Sequence, residues 1–182
     1  AVSQWFENTF GNTSEREAKL DSMVEIQRLS VDEGERLRRL RLASLKDAPD
    51  AFGSTFQDVA ARPQDSWRSQ LQRLPTFVAV LAGVDSGIVR SSPHSEQAHT
   101  AYLLSMWVAP HARGQGVGEA LIGAVINWSR DEGYTRLVLD VGNDNQFAIA
   151  LYARKGFKPT GATGHLPPPR EHILEHEMAL NL

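Results

Sequence analysis

Apolar residues along the chain fall into two periods. In VEIQRL, Val24 and Ile26 alternate with polar neighbours, which predicts a strand. In the following VDEGERLRRLRLASLKDAP, Leu37, Leu40 and Leu45 recur at helical spacing until Pro49 stops the helix. From Phe52 to Leu74 the text is polar with aromatic punctuation, and it predicts a loop and then a second helix around DSWRSQLQRL with Asp65 as its N-cap. TFVAVLAG is apolar and β-branched, a buried strand. GIVRSS and HTAYLLSMWVAP predict a hairpin pair around the polar SPHSEQA; the second member is long and nearly all apolar, so it belongs at the centre of a sheet. EALIGAVINWSRDEGY sets Leu121, Ile122, Val125 and Trp128 along one helical face, with Gly133 as the stop. TRLVLDVG predicts another buried strand, NQFAIALYARKGF a short helix with Asn145 at its cap, and GFKPTGAT and HILEHEMAL two closing strands. The predicted order is β α α β β β α β α β β, an α/β chain.

Residues 1–22 carry no sustained period and precede a Met23 that suits a natural start, so they are expected to be a mobile extension or a remnant of expression, with residues 23–182 as one domain. The formal net charge of −3 gives no basic excess to hold nucleic-acid phosphates, and a nucleic-acid partner is not expected. The absence of cysteine removes disulfides, thiolate zinc sites and a cysteine nucleophile, and it fits a cytoplasmic setting. No apolar run approaches the roughly 20 residues of a membrane span, and no secretory leader is evident, so no membrane partner is expected.

One stretch carries chemistry. APHARGQGVG puts Gly114, Gly116 and Gly118 between the central strand and an apolar helix. A helix entrance exposes amides without internal partners and partial positive charge, so it suits an anion. The glycines relieve bulk or permit positive φ, and Arg113 adds a cation with several donors. A tight strand-to-helix turn without a ligand explains the same spacing. A nucleotide P-loop would need Gly-Lys-Ser/Thr, which is absent. A dinucleotide fingerprint would need a third glycine where Glu119 stands and a strand end directly before the glycines, although Asp140 sits where its acidic residue would fall.

The run Arg113-Gly114-Gln115-Gly116-Val117-Gly118 resembles the R/Q-x-x-G-x-G/A pyrophosphate loop of the GNAT N-acetyltransferase superfamily. MWVAP before it resembles that family's central strand end. Asn145, Ala148, Tyr152, Gly156 and Phe157 match the later N-x-x-A-x-x-x-Y-x-x-x-G-F segment. The resemblance implies a GNAT-like mixed, mostly antiparallel central sheet flanked by helices. It also implies acetyl-CoA as co-substrate, with the diphosphate on the amides of Arg113, Gly114, Gln115, Gly116, Val117 and Gly118. The strand end at Met106, Trp107 and Val108 would meet the pantetheine arm, with Asn145 and Ala148 also on the cofactor. An amide near Val108 would meet the oxyanion, and Tyr152 would give a proton to the departing thiolate, since a phenol is protonated at neutral pH. The implied function is direct transfer of an acetyl group to a primary amine of a small molecule or peptide, with homodimerisation left open. A CoA-binding sensor without turnover is the alternative.

The general base is not singled out by the sequence: His111, His165, His172, His176, Glu171 and Glu175 are all eligible. If HILEHEMAL is a strand, His172 and His176 share a face, but no third ligand stands at a suitable spacing and no metal is expected. GHLPPPR predicts a stiff loop between the last two strands, either a connector or a wall carrying His165 and Arg170 to the acceptor; Trp67 and the Phe52–Gln57 region read equally as acceptor wall or core.

Overall fold

The computed structural model describes residues 23–182, so the expectations for residues 1–22 lie outside the described residues. The elements are β1 (Val24–Arg28), α1 (Gly34–Asp47), α2 (Phe56–Ala60), α3 (Gln64–Arg73), β2 (Thr76–Leu81), β3 (Val84–Pro93), β4 (Thr100–Val108), α4 (Val117–Asp131), β5 (Arg136–Gly142), α5 (Gln146–Arg154), β6 (Lys158–His165) and β7 (Leu174–Asn181). They form one seven-stranded sheet in the order β1-β2-β3-β4-β5-β7-β6. Every neighbouring pair is antiparallel except β4 with β5. The apolar strand expected at the centre is the middle of the seven.

Alternation along the strands divides the apolar residues between two cores. On one face Val89, Leu103, Leu137 and Leu139 pack with Leu121, Ile122 and Val125 of α4 and with Tyr152 of α5. On the other, Val78, Ile88 and Trp107 pack with Leu37, Leu40 and Leu45 of α1 and with Trp67 of α3. Trp67 is fully buried there, which makes it core and removes it from any acceptor wall. Among the described residues no helix is long and apolar enough to cross a membrane.

The structure corrects three local expectations. The segment read as loop holds the short α2, because the Thr55 side chain accepts from the Asp58 amide and closes a turn. Asp65 does not cap α3: Pro63 occupies the N-cap, its carbonyl accepts from the Ser66 amide at 3.0 Å, and Asp65 lies in the first turn. There its charge complements the helix dipole. The last strand begins at Leu174, so His172 lies in the preceding turn and does not share a strand face with His176.

Candidate active site

The parallel pairing of β4 with β5 lasts only from Thr100 to Tyr102 on one strand and Arg136 to Val138 on the other. β5 stays paired with β7 through Gly142 and β4 with β3 through Val108, so the sheet opens between β4 and β5. The cause lies in β4 itself. Ile88 faces Trp107 and Arg90 faces Leu104, so β4 carries one residue more than β3 between those pairs. Ser105 takes up the excess at φ +56°, a bulge that bends the strand. A wedge results, bounded by the last residues of β4 and β5. The Ala109 amide bonds back to the Ser86 carbonyl on β3 at 2.8 Å. Strand alternation therefore turns the amides and carbonyls of Met106 and Val108 away from β3, toward the wedge.

At the mouth of the wedge the chain enters α4. Gly114 and Gly116 have φ of +74° and +81°, with open space where a Cβ would be. The first backbone amide of the helix entrance with an internal partner is Ala120, which reaches the Gly116 carbonyl at 3.0 Å. Six consecutive amides, from Gly114 to Glu119, have no partner among the described residues. Gly118 serves packing: a Cβ there would lie 2.8 Å from Leu151 Cδ2 and close to Met106 and Val108. Its absence seats the helix entrance against the wedge. Unpaired amides on an open, glycine-shaped concavity fit a diphosphate.

The side chains around this loop are turned elsewhere. Arg113 donates from Nε to the Val108 carbonyl at 3.2 Å and also pairs with Asp47 at the end of α1. Its charge is thus already engaged. The Trp107 indole lies on the opposite face from Met106 and Val108, with Nε1 donating to Asp47 Oδ2 at 2.9 Å. A cavity of about 890 Å³ lies on that face, between α1, the β2–β3 turn and Trp107–His111. Asn145 caps α5, accepting from the Ala148 amide at 3.2 Å.

Tyr152 sits in α5 with its ring buried against Phe157, centroids 5.8 Å apart. Its hydroxyl bonds to no described residue, yet it is not among the polar atoms sealed from water without a partner. Burial pushes its ionisation well above the usual phenol range, so it holds its proton throughout ordinary pH.

Tyr102 and Asp140, neither singled out as a catalytic group by the sequence, meet on the face of the sheet away from α4, where the Tyr102 hydroxyl donates to the Asp140 carboxylate. Glu175 of β7 lies near them. Burial, and then the Asp140 charge, raise it from the usual carboxylate range, while Arg170 and His165 pull it the other way. Alternation in the central strands was the available signal for this group. Arg170 itself bridges loops, donating to the Pro49 carbonyl at 2.7 Å and the Gly53 carbonyl at 2.9 Å. Among the described residues no group of three His, Cys, Asp or Glu is arranged to hold a metal.

Comparison with known proteins agrees with this geometry. The model of the Acetyltransferase (GNAT) family matches residues 24–157, and the chain belongs to that family. Similar curated proteins include N-acetyltransferase family 8 member 2 of Rattus norvegicus, 39% identical over 47% of this chain and 39% of its own length. Another is the mycothiol acetyltransferase of Jonesia denitrificans, 30% identical over 70% of this chain and 45% of its own. The chain spans less than half the length of these relatives. Among solved structures, an acetyltransferase of the GNAT family from Streptococcus pneumoniae superposes with a TM-score of 0.72 at 21% identity, over 88% of this chain and all of the other. A ribosomal L7/L12 α-N-protein acetyltransferase in complex with coenzyme A superposes at 0.71 and 16% identity, over 90% and 96%.

Proposed function

We propose that the protein is an acetyl-CoA-dependent N-acetyltransferase that moves an acetyl group directly to a primary amine of a small molecule or peptide. The observation that carries this reading is the row of six unpaired amides at the α4 entrance, standing beside the free edge of β4. The amides from Gly114 to Glu119 hold the diphosphate, and the wedge-facing amide and carbonyl of Met106 take the amide-rich arm as an added strand would be taken. Acetyl-CoA supplies a thioester whose carbonyl is open to attack by a neutral amine. The Val108 amide, turned toward the wedge, stabilises the oxyanion of the tetrahedral stage. Asp140 and Glu175 offer the carboxylates that draw the proton from an incoming ammonium, and Tyr152 returns one to the departing sulfur. No acyl-enzyme is required.

The test is turnover against a panel of amines, read by thiol release. Tyr152→Phe is expected to lower kcat by about 10²-fold, the usual scale for one positioned proton donor, with little change in KM for acetyl-CoA. Equal kcat in the two proteins would remove Tyr152 from the chemistry, and binding without turnover on any amine would favour the sensor.

A further inference from the structure

Beneath α1, α2 and α3, on the face of the sheet away from α4, lies a group of arginines that the wedge chemistry does not use. Arg90 of β3 and Arg41 of α1 are buried to 5% and 2% exposure. Arg62, between α2 and α3, is half-buried beside them. Arg62 Nη1 and Arg90 Nη1 both donate to the same oxygen, Gln70 Oε1, at 3.2 and 3.0 Å. Two guanidinium groups therefore converge on a single neutral acceptor. Arg41 adds a third charge, its guanidinium 5.2 Å over the Phe52 ring and its Nε sealed from water without a partner. Among the described residues no aspartate or glutamate makes a salt bridge to any of the three, whereas Arg36, Arg39, Arg68, Arg113 and Arg154 each have at least one.

Holding like charges dry without a counter-ion is costly. Burial, and then the neighbouring arginines, lower Arg41 to about 10 and Arg90 to about 9. A fixed arrangement of this kind is relieved by an anion. The space for one exists: a cavity of about 440 Å³ is lined by Arg62, Arg73, Arg90, Gln70, Ser66 and Ser69. One lining residue also reaches β4. Arg90 donates from Nε and Nη2 to Ser105 Oγ, at 3.0 and 2.9 Å, at the bulge that opens the wedge. One inter-strand spacing of roughly 4.8 Å separates β3 from the strand that flanks the thioester slot.

We infer that this arginine-lined cavity is an anion subsite that holds a carboxylate or phosphate group of the amine acceptor while its nitrogen reaches the wedge. The inference rests on the acetyltransferase reading for the identity of the ligand but not for the existence of the subsite. A planar or tetrahedral oxyanion replaces the single Gln70 oxygen as the shared acceptor of Arg62 and Arg90, with two or more charge-assisted bonds.

Two measurements test it. In the first, phenylalanine, phenethylamine and phosphoethanolamine are compared as acceptors. The carboxylate or the phosphate amine is expected to exceed phenethylamine in kcat/KM by about tenfold or more, chiefly through KM, as hydrogen bonds to a charged group require. Which of the two wins distinguishes carboxylate from phosphate. Arg62→Gln collapses that preference while leaving KM for acetyl-CoA unchanged; the exposed Arg73→Gln provides a second variant. A ratio near one in the parent, or a ratio retained in both variants, overturns the inference. In the second, thermal unfolding is followed in inorganic phosphate and in chloride at equal ionic strength, with saturating CoA present to fill the α4 entrance. Stabilisation by phosphate that disappears in Arg62→Gln supports the subsite even if no amine is turned over; equal melting in the two salts, or stabilisation that survives Arg62→Gln, refutes it.

Discussion

Glu175 shows how the fold sets the behaviour of one side chain. Burial and the Asp140 charge raise its ionisation, so it takes up a proton at higher pH than an ordinary carboxylate. A base must be deprotonated to act, so kcat/KM rises as pH climbs through that raised value and falls on the acid side of it. Glu175→Gln is expected to lower kcat/KM and to remove this ionisation from the acid limb of the pH profile. An unchanged profile would assign the proton to another group. Glu175 was one of six candidates legible in the sequence, and nothing in one chain ranks it above the histidines, because its perturbation comes from burial in the fold and then from Asp140 on another strand. The arginine cluster was nearer the surface of the text. Arg41 stands four residues from both Leu37 and Leu45, on the leucine stripe of α1, and Arg90 continues the face of Ile88. A charge on an apolar stripe is a signal that periodicity alone exposes.

At the scale of elements, the wedge depends on how closely α4 approaches the sheet. Gly87 on β3 is a contact point: a Cβ there would meet the Trp107 carbonyl at 2.8 Å, Leu121 Cδ1 at 2.9 Å and Val117 Cγ1 at 3.2 Å. The first is backbone and has no rotamer to yield. Gly87→Ala is therefore expected to destabilise the protein by about 1–3 kcal/mol in urea unfolding, the scale of overpacking a filled core. An unaltered midpoint would mean that the helix rides on the sheet more loosely than described. Apart from the short α2, element types and order were legible from period and punctuation: the helical stripe of α4, the Asn145 cap and the central place of β4 follow from local residues. The bulge at Ser105 was not. A serine in an apolar strand carries no mark of positive φ, and the splay of β4 from β5 arises from a mismatch with β3 that only pairing reveals. Pro63 likewise displaced Asp65 as the cap of α3 through backbone placement rather than side-chain preference.

For the whole molecule, the sheet order places three structures at one junction: the free edge of β4, the entrance of α4, and a carboxylate-bearing face shared by β5 and β7. Membership of the GNAT family gives the class; on the proposed reading, main chain serves the carrier and side chains the acceptor. The glycine spacing made the first half legible in the sequence. The second half required the fold, since its residues come from strands far apart in the chain. The claim that the α4 entrance grips a diphosphate is tested most directly by titration calorimetry of the intact protein with acetyl-CoA and with acetyl-pantetheine, which lacks the diphosphate and the nucleotide. The account predicts one site for acetyl-CoA and at least about tenfold weaker binding of acetyl-pantetheine, as the loss of several bonds to a charged group implies. Equal affinities for the two, or no heat with acetyl-CoA, would contradict it.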